Sequence, residues 1–287
     1  MIIGGPSSQL LAGRVAAITN QELAMCDIGA FPDGEAYARI ISEMPGVVTI
    51  IQSTPTDRDI IYLLQLLDAC GDREISLVIP YFGYARQDKV FLPGEPLTAR
   101  AIARVLNPFL GTFLGKGRVF MINIHSHSIL SHFTCPAQNL DATPLLADEV
   151  ARLGLEDPVL ISPDKGAVAM AQAASHRLGA EYDYLEKTRL SGTEVRMAPK
   201  EIDIRGRDVV ILDDMIATGG TMATAISMLR QLGAKRVYLA AVHPVLTGSA
   251  LLKLYRSGVE AMLATDTLDR GISVVSVAPL IAQALKR

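Results

Sequence analysis

Cysteine is scarce in this chain. Cys26, Cys70 and Cys135 are the three among 287 residues, and no two form a CxxC pair. That excludes a disulfide framework and fits a reducing compartment. No apolar run approaches the roughly 18–20 residues that span a bilayer. The opening residues MIIGGPSSQLLAGR have neither a basic stretch nor a long apolar one, so no secretion signal is expected. Positive charge is not in surplus either: 27 Lys and Arg stand against 30 Asp and Glu, a net charge of −3. This argues against a protein held on nucleic acid by general electrostatics, so any anion site must be local. The expectation is a cytoplasmic protein with neither nucleic acid nor membrane among its partners.

Hydrophobic residues make up 49% and charged residues 20% of the chain, enough to bury a substantial core. Short apolar runs recur at 47–52, 75–80, 118–124, 159–162, 208–213 and 236–242. They are rich in β-branched residues and continuous rather than alternating, which suits strands buried on both faces. Amphipathic stretches at 57–72, 95–108 and 220–234 lie between them, with Gly71, Pro108 and Gly233 placed to stop helices. Alternation of this kind predicts an α/β fold of open, mostly parallel sheets flanked by helices. The stretch from Asn139 to Thr143, between Pro136 and Pro144, is the expected boundary between two similar domains, 1–141 and 142–287.

One segment carries chemistry on its face: VVILDDMIATGGTM, residues 209–222. In open α/β sheets ligands gather at the carboxyl ends of strands. The strand is expected to end at Asp213, which puts Asp213 and Asp214 on that rim. Ala217, Thr218, Gly219, Gly220 and Thr221 then form the turn into a helix beginning near Gly220. Glycines let backbone N–H groups approach an anion, and a helix N-terminus favours negative charge. Carboxylates repel phosphate but accept hydrogen bonds from sugar diols, directly or through a hydrated cation. The ordered set reads as a sugar-phosphate site.

This stretch resembles the phosphoribosyl-binding motif shared by phosphoribosyltransferases and ribose-phosphate pyrophosphokinases. FPDGE (31–35), IIQST (50–54), PYFGYARQDK (80–89), INIHSHS (122–128), SPDKGA (162–167), EKTR (186–189) and AVHPVL (241–246) resemble the pyrophosphokinases in the same order. Coverage from near residue 1 to beyond TDTL (265–268) favours that family, with archaeal members most similar. The resemblance implies a phosphoribosyltransferase-like fold in each domain and transfer of the β,γ-diphosphoryl group of Mg–ATP to the C1 hydroxyl of D-ribose 5-phosphate. The products are PRPP and AMP.

The resemblance also implies roles. Lys187 and Arg189 are the catalytic cations, at the start of a long polar loop. ATP is bound by Phe31, Asp33, Gly34 and Glu35 and by Arg86, Gln87 and Asp88. Tyr81, Phe82 and Tyr84 read as packing residues. Ribose 5-phosphate is bound by Arg189, Asp213, Asp214, Ala217, Thr218, Gly219, Gly220 and Thr221; Ala217 stands where the family often has an acid. His125 and Asp164, one in each half at strand ends, help hold Mg2+ with ATP. Asn123 stands where many relatives carry Asp. Relatives complete the nucleotide pocket with a neighbouring subunit, so a homodimer or larger assembly is implied. Two other readings stay open: a non-catalytic nucleotide-binding regulatory homologue, and a phosphoribosyltransferase, which leaves residues 1–140 unexplained.

Overall fold

The computed structural model describes residues 1–110, 117–189 and 195–286, and the chain divides into two compact units. The first comprises Met1–Asp141, Thr267–Asp269 and Ser276–Arg287, the second Ala142–Asp266 and Arg270–Val275.

Strands of the first unit are β1 (Ile2–Gly4), β2 (Cys26–Ala30), β3 (Ala36–Ile40), β4 (Val47–Ile51), β5 (Glu74–Ile79), β6 (Arg118–Ile122) and β7 (Ala137–Leu140). Its helices include α1 (Gln9–Thr19), α2 (Asp57–Cys70) and α3 (Thr98–Leu110). Among the described residues β1, β4, β5, β6 and β7 form a sheet in the order β1-β4-β5-β6-β7, parallel throughout, while β2 and β3 pair as a separate antiparallel hairpin. Val48 and Ile50 of β4 and Ile75, Leu77 and Ile79 of β5 are buried with Leu63, Leu66, Leu67, Ala103 and Leu106 of the helices. Thr56 and Asp59 form a reciprocal capping box at the start of α2, and Gly71 ends that helix at φ +56°. Pro108 does not end α3 as the sequence suggests, since the helix continues to Leu110. Near a helix end a proline removes one backbone hydrogen bond, a loss that packing of the buried Leu106 and Leu110 can outweigh. Strand β6 stops at Ile122 because Asn123 takes a left-handed φ of +38°.

The second unit contains β8 (Val159–Ser162), β9 (Glu181–Arg189), β10 (Val195–Pro199), β11 (Asp208–Ile216), β12 (Arg236–Pro244), β13 (Met262–Thr265) and β14 (Ser273–Val275). Helices α4 (Thr143–Ala151), α5 (Val168–Leu178), α6 (Gly220–Gln231) and α7 (Ala250–Arg256) accompany them. Its described strands run in the order β10-β9-β8-β11-β12-β13-β14, parallel except for the antiparallel β9–β10 pair. The core is aliphatic, with Val159, Ile161, Val209 and Ile211 packed on Ile226 and Leu229 of α6.

The last helix, α8 (Ala278–Leu285), packs on α1 and β7 of the first unit. This differs from the expected assignment of all of 142–287 to the second domain. Ala278, Ile281 and Ala282 are buried on α8, as are Leu11, Ala12 and Val15 on α1, and small alanines let two helices approach closely. A return of this kind leaves no mark in the order of elements along the chain.

At the amino ends of β11 and β12, Asp208 lies opposite Arg236. The Arg236 guanidinium donates to both carboxylate oxygens of the fully buried Asp208, and the Glu156 N–H adds a bond of 2.8 Å. The Arg236 hydrogen bonds hold the Asp208 carboxyl below the usual carboxylate range. Arg236→Ala leaves a buried charge unpaired and should lower the thermal midpoint by roughly 5–10 °C. A depressed acid stabilises the fold above its unfolded pKa and loses that contribution as pH falls through the folded one. The deficit of the variant, read by calorimetry, should therefore shrink in acid.

Candidate active site

The register of the second sheet brings the acids together. Ile161 of β8 is paired with Ile211 of β11, so Asp164, just past β8, and Asp213 leave adjacent strands at the same end. Strand β11 does not end at Asp213 but runs to Ile216, pairing with β12 as far as Pro244. The acids thus sit within a paired strand, where backbone bonds hold them more firmly than a loop would.

Past β11, Gly219 takes φ +72° and opens α6 without a side-chain cap. The first N–H groups of α6 therefore receive no acceptor from a capping side chain. A Cβ on Gly219 would meet the Ala250 carbonyl oxygen at 3.1 Å, so the position needs glycine for its conformation and its closeness to α7. Gly220 differs: a Cβ there would meet only Thr218 Oγ1, at 3.8 Å, and otherwise opens on free space. Behind the turn, Leu246 and Thr247 donate backbone bonds of 2.9 and 3.0 Å to the Ile216 and Ala217 carbonyls, and Lys253 Nζ reaches the Thr218 carbonyl at 3.4 Å. The sequence reading missed this support, since Lys253 lies 35 residues from Thr218 and no motif links them. Thr218 and Thr221 are exposed.

Burial, then the charges of Asp214 and Asp164, push the Asp213 carboxyl well above the usual carboxylate range. Asp214 N–H donates to Asp213 Oδ1 at 2.9 Å, which favours the ionised form but does not offset the other effects. Asp164 caps the short turn Lys165–Ala167 by accepting from Gly166 N–H at 2.7 Å.

Lys187 and Arg189 lie on β9, not in a loop: Lys187 pairs with Met197 and Arg189 with Val195. Strand β9 continues past its last partner on β8, where Tyr184 pairs with Ser162. Both residues are therefore on the arm of a projecting hairpin, at the same sheet end as Asp164 and Asp213. Part of the expected polar loop, residues 190–194, lies outside the described residues.

In the first unit, Phe31, Asp33, Gly34 and Glu35 form the tip joining β2 to β3. Phe31 N–H donates to the Glu35 carbonyl at 2.8 Å and Glu35 N–H to Asp33 Oδ1 at 3.2 Å, with Gly34 at φ +96°. Phe31 is half exposed and meets Tyr37 edge-on at 5.5 Å between ring centroids. Arg86, Gln87 and Asp88 continue a turn in which a Cβ on Gly83 would meet the Thr54 carbonyl oxygen at 2.0 Å. Gln87 N–H donates to the Tyr84 carbonyl at 2.9 Å, and Gln87 Oε1 accepts from Thr98 Oγ1. Phe82 is buried against Phe133, in keeping with a packing role. Tyr84 is not a packing residue: it is exposed, has φ +64°, and its phenol donates to Asp57.

His125 follows β6 by three residues and is exposed. Among the described residues no three His, Cys, Asp or Glu side chains are grouped so as to hold a metal ion by themselves. Mutually repelling Asp164 and Asp213 suit a magnesium ion that takes one or two carboxylates and draws its other oxygens from phosphates and water.

An acid whose folded pKa is raised binds more protons folded than unfolded, so stability falls as pH rises through the interval. In metal-free buffer Asp213→Asn should therefore gain in thermal midpoint over the wild type as pH rises from about 4 to about 8. A difference independent of pH would contradict the burial argument. Gly219→Val should destabilise the free protein while Gly220→Val leaves its thermal midpoint within about 2 °C, because only Gly219 has a positive φ and a close neighbour.

Comparison with known proteins extends the pattern to the whole chain. The N-terminal domain of ribose phosphate pyrophosphokinase, as a family, matches residues 1–109, and the phosphoribosyl transferase domain family matches residues 136–258. The ribose-phosphate pyrophosphokinase of Methanosarcina acetivorans is 54% identical, over 100% of this chain and 99% of that one. That of Methanothermobacter thermautotrophicus is 40% identical over 100% of both. Among solved structures, phosphoribosylpyrophosphate synthetase from Mycobacterium smegmatis superposes with a TM-score of 0.86 at 30% identity, covering 100% of this chain and 97% of that one. Full-length similarity to archaeal relatives, together with both domain matches, means that this chain belongs to the ribose-phosphate pyrophosphokinase family.

Proposed function

We propose that the protein transfers the diphosphoryl group of ATP to O1 of D-ribose 5-phosphate, forming PRPP and AMP. The observation that carries this reading is the cradle of the second unit: the half-buried Asp213, an α6 without a side-chain cap, and open space beside Gly220. Thr218, Gly219, Gly220 and Thr221 receive the 5-phosphate at the α6 terminus, with Ala217 shaping the turn. Asp213 and Asp214 face the ribose hydroxyls, which donate to their oxygens. Phe31 packs on or near adenine; Asp33, Gly34, Glu35, Arg86, Gln87 and Asp88 bind the rest of the nucleotide.

In the reaction the O1–Pβ bond forms, the bond from Pβ to the oxygen bridging to the α-phosphate breaks, and the O1 proton is released. Such a step needs alignment and charge neutralisation more than covalent help. Lys187 and Arg189 supply positive charge to the transferring phosphates, and Arg189 also contacts the sugar phosphate. Mg2+, when bound with ATP, would supply charge neutralisation to the triphosphate. Asp164 is the oxygen donor suited to it, and His125, a nitrogen donor, acts on the phosphates or through water. The protein works in the cytosol, as its free cysteines suggest, and as a homodimer or larger assembly. No helix among the described residues is long and apolar enough to cross a membrane.

The reading is tested by following AMP and PRPP from Mg–ATP and ribose 5-phosphate; absence of turnover would favour a regulatory homologue. Lys187→Ala should lower kcat by about 100-fold or more while Mg–ATP affinity stays near the wild-type value. Near-normal turnover removes Lys187 from the catalytic role. Gly220→Val, well folded by the argument above, should raise the KM for ribose 5-phosphate about tenfold or more by crowding its phosphate. An unchanged KM would move the phosphate elsewhere.

A further inference from the structure

One face of α2 carries the β2–β3 hairpin through three side chains that donate to backbone carbonyls. Arg58 Nη2 donates to the Gly34 carbonyl at 2.8 Å, Tyr62 Oη to Gly29 at 2.7 Å and Gln65 Nε2 to Ala36 at 2.7 Å. Tyr62 and Gln65 hold the strands. Arg58 alone of these reaches the tip, where Gly34 stands between Asp33 and Glu35. The residue before it, Asp57, accepts a hydrogen bond from the Tyr84 phenol. That bond reaches the turn leading into Arg86, Gln87 and Asp88. Two consecutive residues in the first turn of one helix therefore hold segments separated by about fifty positions in the sequence.

These contacts do little for the fold. Arg58, Asp57 and Tyr84 are all exposed, and exposed hydrogen bonds and ion contacts contribute little to stability. Tyr84 also adopts φ +64°, which disfavours a bulky residue and marks a backbone held by its surroundings. Exposed, strained and hydrogen-bonded at a chosen point, this turn has the marks of a segment being positioned.

We infer that Asp57 and Arg58 are a positioning pair that sets the hairpin tip 31–35 and the turn 84–88 for nucleotide binding. The inference rests on the reading of those segments as nucleotide-binding. Neither residue needs to touch ATP. Arg58 keeps the tip from swinging away from α2, and Asp57 keeps the Tyr84 turn in its left-handed form. A guanidinium suits the first task because it stays charged and offers several donors in one plane.

The experiment compares Arg58→Ala, Arg58→Lys, Tyr84→Phe and Arg58→Ala/Tyr84→Phe in the full chain. KM for Mg–ATP, KM for ribose 5-phosphate, kcat and thermal midpoint are measured for each. Arg58→Ala and Tyr84→Phe should each raise the KM for Mg–ATP about three- to fivefold, the upper end for an exposed hydrogen bond. KM for ribose 5-phosphate should stay within about twofold, with thermal midpoints unchanged. Arg58→Lys should recover part of the loss, since an ammonium can still donate once. The double variant should rise by less than the product of the single effects, because both contacts serve one nucleotide pocket. An unchanged KM for Mg–ATP in Arg58→Ala overturns the inference, as does an equal rise in both KM values with a lowered midpoint. Phe31→Ala separates this failure from that of the parent reading. If it raises the KM for Mg–ATP while Arg58→Ala does not, only the positioning role falls; if both are silent, the hairpin is not a nucleotide segment.

Discussion

Repulsion among carboxylates at one end of a buried sheet is the constraint on which the second unit turns. Asp213 loses hydration by burial and lies within the field of Asp214 and Asp164. Its negative form is therefore costly in the free protein. Stability is thus given up at the point where a ligand can restore it, a common property of binding sites. The arrangement persists because β11 continues to Ile216 and pairs with β12 on both sides of the acids. Main-chain bonds hold in place side chains that would otherwise move apart.

The same sheet leads into the turn that opens α6. Gly219 turns the chain from strand to helix in a left-handed conformation, pressed close to Ala250, while Gly220 opens on space. One glycine serves the backbone and the other leaves room. Carboxylates and uncapped N–H groups therefore stand side by side, an arrangement suited to a ligand that carries hydroxyls at one end and phosphate at the other. In the first unit, position is set by polar contacts. Gly83 lies so close to the end of β4 that Thr54 Oγ1 accepts its N–H at 2.9 Å, and the turn bearing Arg86, Gln87 and Asp88 departs from there.

Much of this was legible in the chain. Runs such as VVTII and DVVIL, apolar at successive rather than alternate positions, announced buried parallel strands, because such a strand is covered on both faces. Gly71 and Gly233, both at positive φ, marked true helix ends, whereas Pro108 did not. The DD and TGGT pattern was readable because a strand end, a turn and a helix start are neighbours in sequence as well as in space. Lys187 and Arg189 looked like loop residues because the surrounding text is polar and shows no apolar alternation that would mark a strand.

The sequence by itself determined the strand–helix alternation, the passage from strand to turn to helix between Asp213 and Thr221, and the family to which the chain belongs. Local rules of periodicity, glycine conformation and helix capping act over a few residues, so a linear text can carry them. Tertiary structure alone decided that α8 packs on α1, that Lys253 stands behind Thr218, that burial raises Asp213, and that Asp57 and Arg58 hold two distant segments. Each of these depends on residues far apart in the chain being brought within hydrogen-bonding or packing distance, and spacing along a sequence does not encode that meeting.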